Sequence, residues 1–283
     1  MPEIRSIGVI GLGAMGAGIA QLAIEAGYDT VGREVTVELG QAAADKIDHF
    51  LTRKVEKGQL EQGQRDAAIA RFTVTAEFEA LADCDLVIEA IVEELEPKRV
   101  IFAELDRICR PDAILATNTS ALSVTEIAAA TTRPERVVGM HFFNPAPLMP
   151  LLEVVQAELT SKDAMEVAAH VGSRLGKEVV RCHDTAGFVV NRVLIPLLND
   201  CLRVLDEARV TPEALDVAMK NGAGWPMGPC ALVDLVGIDV HVHAAEALYE
   251  RLREPRMAPP PRLVAMKNAG LLGRKSGRGF YTY

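Results

Sequence analysis

Ser6-Ile7-Gly8-Val9-Ile10, followed at once by Gly11-Leu12-Gly13-Ala14-Met15-Gly16, is the stretch that decides the fold. The first five residues are a short apolar run of the kind that forms a buried parallel strand. The next six place glycines at their first, third and sixth positions, and residues 17–26 then carry Ala, Ile and Leu at helical spacing until Gly27. Three glycines in six positions arise by chance; between a strand and a helix they have a mechanism. Gly11 permits the tight turn, Gly13 lets a pyrophosphate approach the backbone, and Gly16 lets the helix pack closely on the strand. Met15 lies in the same turn, and the helix N-terminus offers free N–H groups and a partial positive charge to phosphates.

A second strand is expected at about residues 29–31, ending at Glu34, 18 residues beyond Gly16. A carboxylate there can accept bonds from both adenine ribose hydroxyls and repels a 2′-phosphate, which favours NAD over NADP. Arg33 beside it pulls the other way, because an arginine at that place can pair with a 2′-phosphate.

Outward from this unit, residues 37–71 read as a helical insertion. Ile47, Phe50, Leu51 and Val55 share one helical face, Gly58 closes that helix, and a second is expected over residues 61–71. Strands at 85–90, 113–117, 137–140 and 151–155 alternate with helices at 98–108 and 124–130. That alternation predicts an α/β fold, a Rossmann-type doubly wound sheet covered on both faces, over residues 1–185. From about Thr185 the pattern becomes nearly all helix, predicting a second, all-helical C-terminal domain over residues 186–283. A long helix over residues 188–204 should kink at Pro196, which lacks the N–H that the carbonyl of Arg192 would accept. Thr211-Pro212-Glu213 is a helix start, with Thr as cap and Pro at the first helical position.

Bulk composition sets the class of protein. With 283 residues, 49% of them apolar and 24% charged, the chain can bury a sizeable core and does not read as disordered. A formal charge of −9 argues against nucleic acid or an anionic membrane as partner of the whole protein. Cys84, Cys109, Cys182, Cys201 and Cys230 are scattered, odd in number and without a CxxC, as expected of reduced thiols in the cytoplasm. The apolar run before Gly11 is too short for a signal-peptide core or a membrane span.

Candidate chemistry gathers in four places. His141 follows the strand 137–140, and Glu153 lies in the strand that begins after Pro145, Pro147 and Pro150. A short connection can bring these two together as a carboxylate–imidazole pair, the arrangement needed to take a hydroxyl proton while an alcohol is oxidised. Taken singly, each is as readily a satisfied structural residue, and pattern alone does not establish that they touch. Thr117-Asn118-Thr119-Ser120 stands at the carboxyl end of a strand, where open α/β sheets bind ligands, though it also reads as a cap cluster for the next helix. Asn191 sits early in the long helix of the second domain. No metal site is expected, since His241-x-His243 lies on a helix, where residues two apart diverge.

These residues carry a resemblance to the 3-hydroxyacyl-CoA dehydrogenase family, running from the Gly11 turn to Gly279-Phe280-Tyr281. Its most specific pieces are Ala116-Thr117-Asn118-Thr119-Ser120, Gly139-Met140-His141-Phe142-Phe143-Asn144-Pro145 and Gly187-Phe188-Val189-Val190-Asn191-Arg192. The resemblance implies an oxidoreductase that interconverts (S)-3-hydroxyacyl-CoA, of short chain, with 3-ketoacyl-CoA by means of NAD(H). It implies that His141 is the catalytic base, that Glu153 orients it, and that Ser120 and Asn191 contact the substrate oxygen. Gly11, Gly13, Met15, Gly16, Glu34 and Asn118 are then cofactor positions. Glu93 and Lys98 match positions beside the nicotinamide half of the cofactor, Asn144 one near the histidine, and Arg53 and Lys57 a basic pair that meets the coenzyme A phosphates. Glu34 stands where the family usually has Asp, and Ala121 where a second serine is common.

Rival readings are a dehydrogenase of a free hydroxy acid (gulonate or carnitine type) and a non-catalytic NAD-binding structural protein. Phe142 and Phe143 after His141 favour the acyl-CoA branch over the first, and the His141–Glu153 set weighs against the second. A hydrolase is disfavoured because no G-x-S-x-G elbow surrounds Ser120. The apolar surplus of the helical domain (Val193, Leu197, Leu198, Leu202, Leu205, Leu232, Leu235) and the family both point to a homodimer.

Overall fold

The structure, a computed structural model, describes residues 3–283. Its contacts divide the chain after Thr185 into two compact units.

The first unit begins with β1 (Ser6–Ile10), α1 (Ala14–Glu25), β2 (Asp29–Arg33), α2 (Val37–Glu56), α3 (Gln62–Ile69) and β3 (Phe72–Thr75). It continues through β4 (Leu86–Glu89), α4 (Leu95–Ile108), β5 (Ile114–Thr117), α5 (Val124–Ala128), β6 (Val137–Phe142), β7 (Leu151–Gln156), α6 (Lys162–Arg174) and β8 (Glu178–His183). The strands form one sheet in the order β3-β2-β1-β4-β5-β6-β7-β8. All neighbours run parallel except β6 and β7, which are antiparallel.

Two strands of this sheet depart from the sequence reading. β3 and β8 were expected as neither, and they are its two edges. The α2–α3 pair is therefore the crossover from β2 to β3 rather than an insertion into the sheet. Within α2, Ile47 and Leu51 are buried as expected, but Phe50 is 56% exposed and does not join their face. Ile47 to Phe50 is three residues, about 300° around the helix, so Phe50 stands at the rim of the buried stripe.

Strand alternation separates the two faces. Val9, Ile88, Ala116, Val138, Met140, Leu152 and Val154 pack in one core with α1, α2 and α6. Val87, Leu115 and Gly139 alternate with them and point to the other face, where a Cβ at Gly139 would meet Val124 of α5 at 3.0 Å. The glycine turn is as tight as the sequence demanded. Gly11 has φ +82° and donates its N–H to the carbonyl of Arg33 at 3.0 Å. A Cβ on Gly16 would stand 1.8 Å from the carbonyl oxygen of Gly11, so no larger residue fits.

The second unit is helical: α7 (Val190–Glu207), α8 (Pro212–Ala223), α9 (Pro229–Val236), α10 (Ile238–Leu252) and α11 (Pro261–Asn268). Thr211 caps α8 as expected, accepting from the N–H of Ala214 at 3.2 Å, and Pro196 lies inside α7. Leu198, Leu202 and Leu205 fill this unit's own core with Cys230, Val233, Ile238 and Val242. They are thus not part of any unspent apolar surface; of the seven residues named from the sequence, Val193, Leu197 and Leu235 are exposed and Leu232 packs partly against that core. Among the described residues no helix is long and apolar enough to cross a membrane.

His241, on α10, is spent inside this unit. Its Nε2 meets Asn199 Oδ1 at 2.8 Å, and the Asn199 amide donates to the carbonyls of Arg256, Met257 and Ala258. Burial pushes the imidazole down to about 4. In the unfolded chain the same ring takes a proton near 6.5. Between those values the unfolded chain binds more protons than the folded one, so stability falls as pH drops from 6.5 towards 4. The full loss is limited to about 3 kcal/mol. Thermal melts at pH 7 and pH 5 should show wild type losing more stability than His241→Gln, by up to about 2 kcal/mol. Equal losses would mean that another group carries the acid sensitivity.

Candidate active site

The antiparallel register of β6 and β7 makes His141 and Glu153 direct partners. The sequence reading placed His141 just after the strand; β6 in fact runs to Phe142, so His141 lies within it. The imidazole Nδ1 meets Glu153 Oε2 at 2.7 Å. Both side chains are buried, Glu153 completely. The Phe143 ring lies against the histidine at 4.5 Å between centroids. With its carboxylate on Nδ1, the ring holds its proton on that nitrogen, which leaves Nε2 as the basic one.

A second polar cluster lies on the same face of the sheet. Ile10, Glu89, Thr117, Gly139 and Val155 form one row across neighbouring strands, and His141 with Glu153 forms the next row along β6 and β7. Glu89 is entirely buried. Its Oε1 accepts from Lys98 Nζ at 2.6 Å and from the N–H of Ile91 at 2.7 Å, while Oε2 accepts from the Thr117 hydroxyl at 2.7 Å. Lys98 is also buried and lies 3.4 Å from Glu93 Oε2.

Glu93 in turn gathers the loop after β5. Its Oε1 accepts from the Thr119 hydroxyl at 2.6 Å and from the N–H groups of Ser120 and Ala121 at 2.7 and 2.9 Å. Burial works to raise the Glu93 carboxyl, but the Lys98 charge and these donors outweigh it and hold the group below the usual carboxylate range. Asn118 links the same loop to the histidine strand, its Oδ1 accepting from the N–H of Phe142 at 2.9 Å. Ser120 is thereby placed by Glu93, in a loop that Asn118 ties to β6.

The connection from β6 to β7 has its own anchor. Lys177 Nζ donates to the carbonyls of Ala146 and Met149 at 2.6 and 2.8 Å, and burial lowers its ammonium from the ordinary lysine value. Neither Glu89 nor Lys177 stands out in the sequence reading, whereas Thr119 belongs to the polar cluster named there. Glu89 did leave a signal there, an acid closing the apolar run Leu86-Val87-Ile88.

The cofactor positions divide along the sheet. Glu34, just beyond β2, accepts from the N–H of Leu12 in the glycine turn at 2.8 Å and from that of Val35 at 2.7 Å. Its carboxylate therefore sits beside the turn, as a ribose-binding acid must. Arg33, the rival feature, is occupied: its Nε donates to the carbonyl of Ala76 and its guanidinium lies 4.0 Å from the Phe78 ring centre. Gly13 tests whether a dinucleotide fits. A Cβ there would meet nothing within 4 Å, so the fold does not require a glycine at that position, and the open space in front of it suits an approaching pyrophosphate.

Met15 is half-buried in the first turn of α1, and Asn144 is exposed in the loop after β6. Arg53 and Lys57 are exposed at the C-terminal end of α2, while Lys54 between them is paired with Glu25. Asn191 is the second residue of α7 in the second unit.

Comparison with known proteins agrees along the whole chain. The profile described as 3-hydroxyacyl-CoA dehydrogenase, NAD binding domain, matches residues 6–185, and the C-terminal domain of the same family matches residues 187–283. The chain is 44% identical over 282 residues to a 3-hydroxybutyryl-CoA dehydrogenase of Mycobacterium tuberculosis, covering 99% of each chain. It is 43% identical to a probable 3-hydroxybutyryl-CoA dehydrogenase of Bacillus subtilis, over 99% of this chain and 98% of that one. The crystal structure of (S)-3-hydroxybutyryl-CoA dehydrogenase from Ralstonia eutropha superposes with a TM-score of 0.96 at 37% identity, over 99% of both chains.

The two inner glycines of the turn should fail in different ways. Gly13→Ala is expected to melt within about 2 °C of wild type, because its methyl meets no protein atom, yet to bind NADH on the order of tenfold or more weakly. Gly16→Ala should be destabilised or insoluble, because its methyl collides with the Gly11 carbonyl. Melting curves and NADH fluorescence titration check both. A Gly13→Ala protein that is stable and binds NADH normally would show that no phosphate approaches there.

Proposed function

The chain belongs to the 3-hydroxyacyl-CoA dehydrogenase family, and we propose that it interconverts a short-chain (S)-3-hydroxyacyl-CoA, 3-hydroxybutyryl-CoA above all, with the corresponding 3-ketoacyl-CoA. The observation that carries this reading is the buried His141–Glu153 pair, 2.7 Å apart, on the sheet whose first turn fits a dinucleotide. Bound NAD supplies a hydride acceptor in oxidation and a hydride donor in reduction.

The residues of the chain manage the proton. In oxidation, Nε2 of His141 takes the proton of the C3 hydroxyl, and Glu153 stabilises the imidazolium through Nδ1–H. In reduction the imidazolium returns that proton to the carbonyl oxygen. Ser120, placed by Glu93, is proposed to contact the same oxygen, and Asn191, in the second unit, is proposed as a substrate-binding residue. Arg53 and Lys57 are proposed as a handle for the coenzyme A phosphates: four residues apart, they share one helical face, and Lys54 between them is already paired. Gly11, Gly13, Met15, Gly16 and Glu34 would hold the adenosine and pyrophosphate half of NAD, and Glu93, Lys98, Asn118 and Asn144 the nicotinamide half.

Val193, Leu197 and Val204 are exposed on one face of α7, at spacings of four and seven, and we propose that this face pairs two copies as a homodimer. The thiols, most of them buried, fit a reducing cytoplasm.

Turnover should be rapid with acetoacetyl-CoA and NADH and negligible with free acetoacetate. His141→Ala should lower kcat by roughly 10²–10⁴ while NADH still binds. Arg53→Ala with Lys57→Ala should raise KM for acetoacetyl-CoA on the order of tenfold, leaving kcat nearly unchanged and a truncated pantetheine thioester unaffected. Equal rates on acetoacetate, or a His141→Ala protein keeping a third of wild-type kcat, would remove the assignment. Light scattering at micromolar concentration should give twice the 30.5 kDa chain mass, and a monomer would refute the pairing face.

A further inference from the structure

The carboxylates around Lys98 outnumber it. Glu89 meets only donors: the Lys98 ammonium, the Ile91 N–H and the Thr117 hydroxyl. Neither of its oxygens needs a proton, so it is a carboxylate. Glu93 is the second carboxylate, 3.4 Å from the same ammonium. Two negative charges against one positive leave one negative charge in excess, and Lys98 and Glu89 are shut away from water. Holding Lys98 in place needs only one acid, and a buried charge without its own counter-charge is costly. The excess calls for a function.

Its place in the sheet supplies one. Strand order reverses between β1 and β4, with β2 and β3 on one side and β4 and β5 on the other. A dinucleotide lies across such a crevice, its phosphates at the turn after β1. Glu34 at the end of β2 marks the adenosine side, so the nicotinamide side is that of β4 and β5. There the loop Ala90–Glu94 meets the glycine turn: a Cβ on Gly11 would stand 2.9 Å from the carbonyl oxygen of Ala90. Glu89 ends the strand before that loop, Glu93 lies within it, and Lys98 is in the first turn of the helix that follows. The oxidised nicotinamide ring carries a positive charge and the reduced ring carries none, so a fixed negative charge nearby acts on one redox form only.

We propose that the Glu89–Lys98–Glu93 trio, through its one excess negative charge, biases cofactor binding toward the oxidised, cationic ring. The inference rests on the NAD-binding reading given above. At an effective dielectric constant of about 20, one charge about 12 Å away shifts a binding equilibrium by about tenfold. In the direction of alcohol oxidation, such a bias favours loading of NAD⁺ and release of NADH.

Glu89→Gln tests it. Glutamine has the same shape, and its amide oxygen can still accept from Lys98 and Ile91, while the Lys98–Glu93 pair becomes neutral overall. Dissociation constants for NAD⁺ and for NADH are measured separately, by calorimetry and by fluorescence, on wild type and variant. The expected result is that the ratio Kd(NAD⁺)/Kd(NADH) rises about tenfold, mostly through weaker NAD⁺ binding. A purely structural Glu89 would weaken both forms alike, and an unchanged ratio overturns the proposal whether or not overall affinity falls. Glu93→Gln removes one charge by a different route and should move the ratio the same way, so it decides the matter if Glu89→Gln does not fold. Wild-type protein that binds neither form would overturn the cofactor reading itself, and this inference with it. Binding of both forms with an unmoved ratio overturns this inference alone.

Discussion

A carboxylate with no exposed surface must be met by donors on its oxygens, and this protein carries two such groups, Glu89 and Glu153, on one face of one sheet. Burying a charge unpaired costs several kcal/mol, so each has drawn a specific partner to itself. Glu89 takes Lys98, Ile91 and Thr117 from three different places in the chain, and Glu153 takes the histidine across the strand pair. The rest of the site follows from satisfying these two acids. Lys98 brings α4 down onto the sheet, Glu93 collects the loop that bears Ser120, and Asn118 ties that loop to the histidine strand.

The sheet topology explains why the acids stand where they do. Parallel strands β1, β4, β5 and β6 all run the same way; the end residues of the first three fall in register with Gly139 of β6, which continues three residues further. β7 runs the other way, which puts Glu153 near its beginning, opposite His141 near the end of β6. Antiparallel pairing places partners within about 5.5 Å through Cα, close enough for a carboxylate to reach an imidazole directly. A parallel β7 would have had its third residue towards the opposite end of the strands, near the start of β6. The one reversal of direction in the sheet is therefore the feature that builds the His–Glu pair, and Lys177 locks the connection that makes the reversal.

Legibility in the sequence followed burial. β1, β4 and β5 are almost wholly buried and read as apolar runs, and the glycine turn declared itself because strand and helix flank it. β3 and β8 escaped because they are edges. Phe72-Thr73-Val74-Thr75 is four residues long and half polar, and β8 (Glu178–His183) mixes charged with apolar residues and has none buried, as a strand with open sides does. Phe50 misled because its spacing fits a helical face while its position at the rim leaves it in solvent. His141 and Glu153 were both legible as candidates, but their contact was not, since register is set by the loop and by Lys177, 24 residues beyond Glu153. Glu89 was passed over because its role depends on Lys98 folding back from the first turn of α4, which no local pattern announces.

The second unit uses buried acids too, and the contrast lies in what their partners can do. Asp216 accepts from the N–H groups of Cys230 and Ala231, capping α9, and from the Tyr281 hydroxyl. Asp234 accepts from the N–H groups of Phe280 and Tyr281 and from the Tyr283 hydroxyl, so it fastens the tail to α9. Their partners are amides and phenols. Burial and the neighbouring Asp216 push the Tyr281 hydroxyl above its ordinary range, so it stays a donor at any pH the fold survives. No proton can be exchanged in such a set near neutrality, and its work is mechanical. Glu153 instead faces an imidazole, whose intrinsic pKa lies near 6.5. The same physical device, a dry carboxylate surrounded by donors, is a clamp when its partners cannot titrate and part of a proton-transfer system when one of them can.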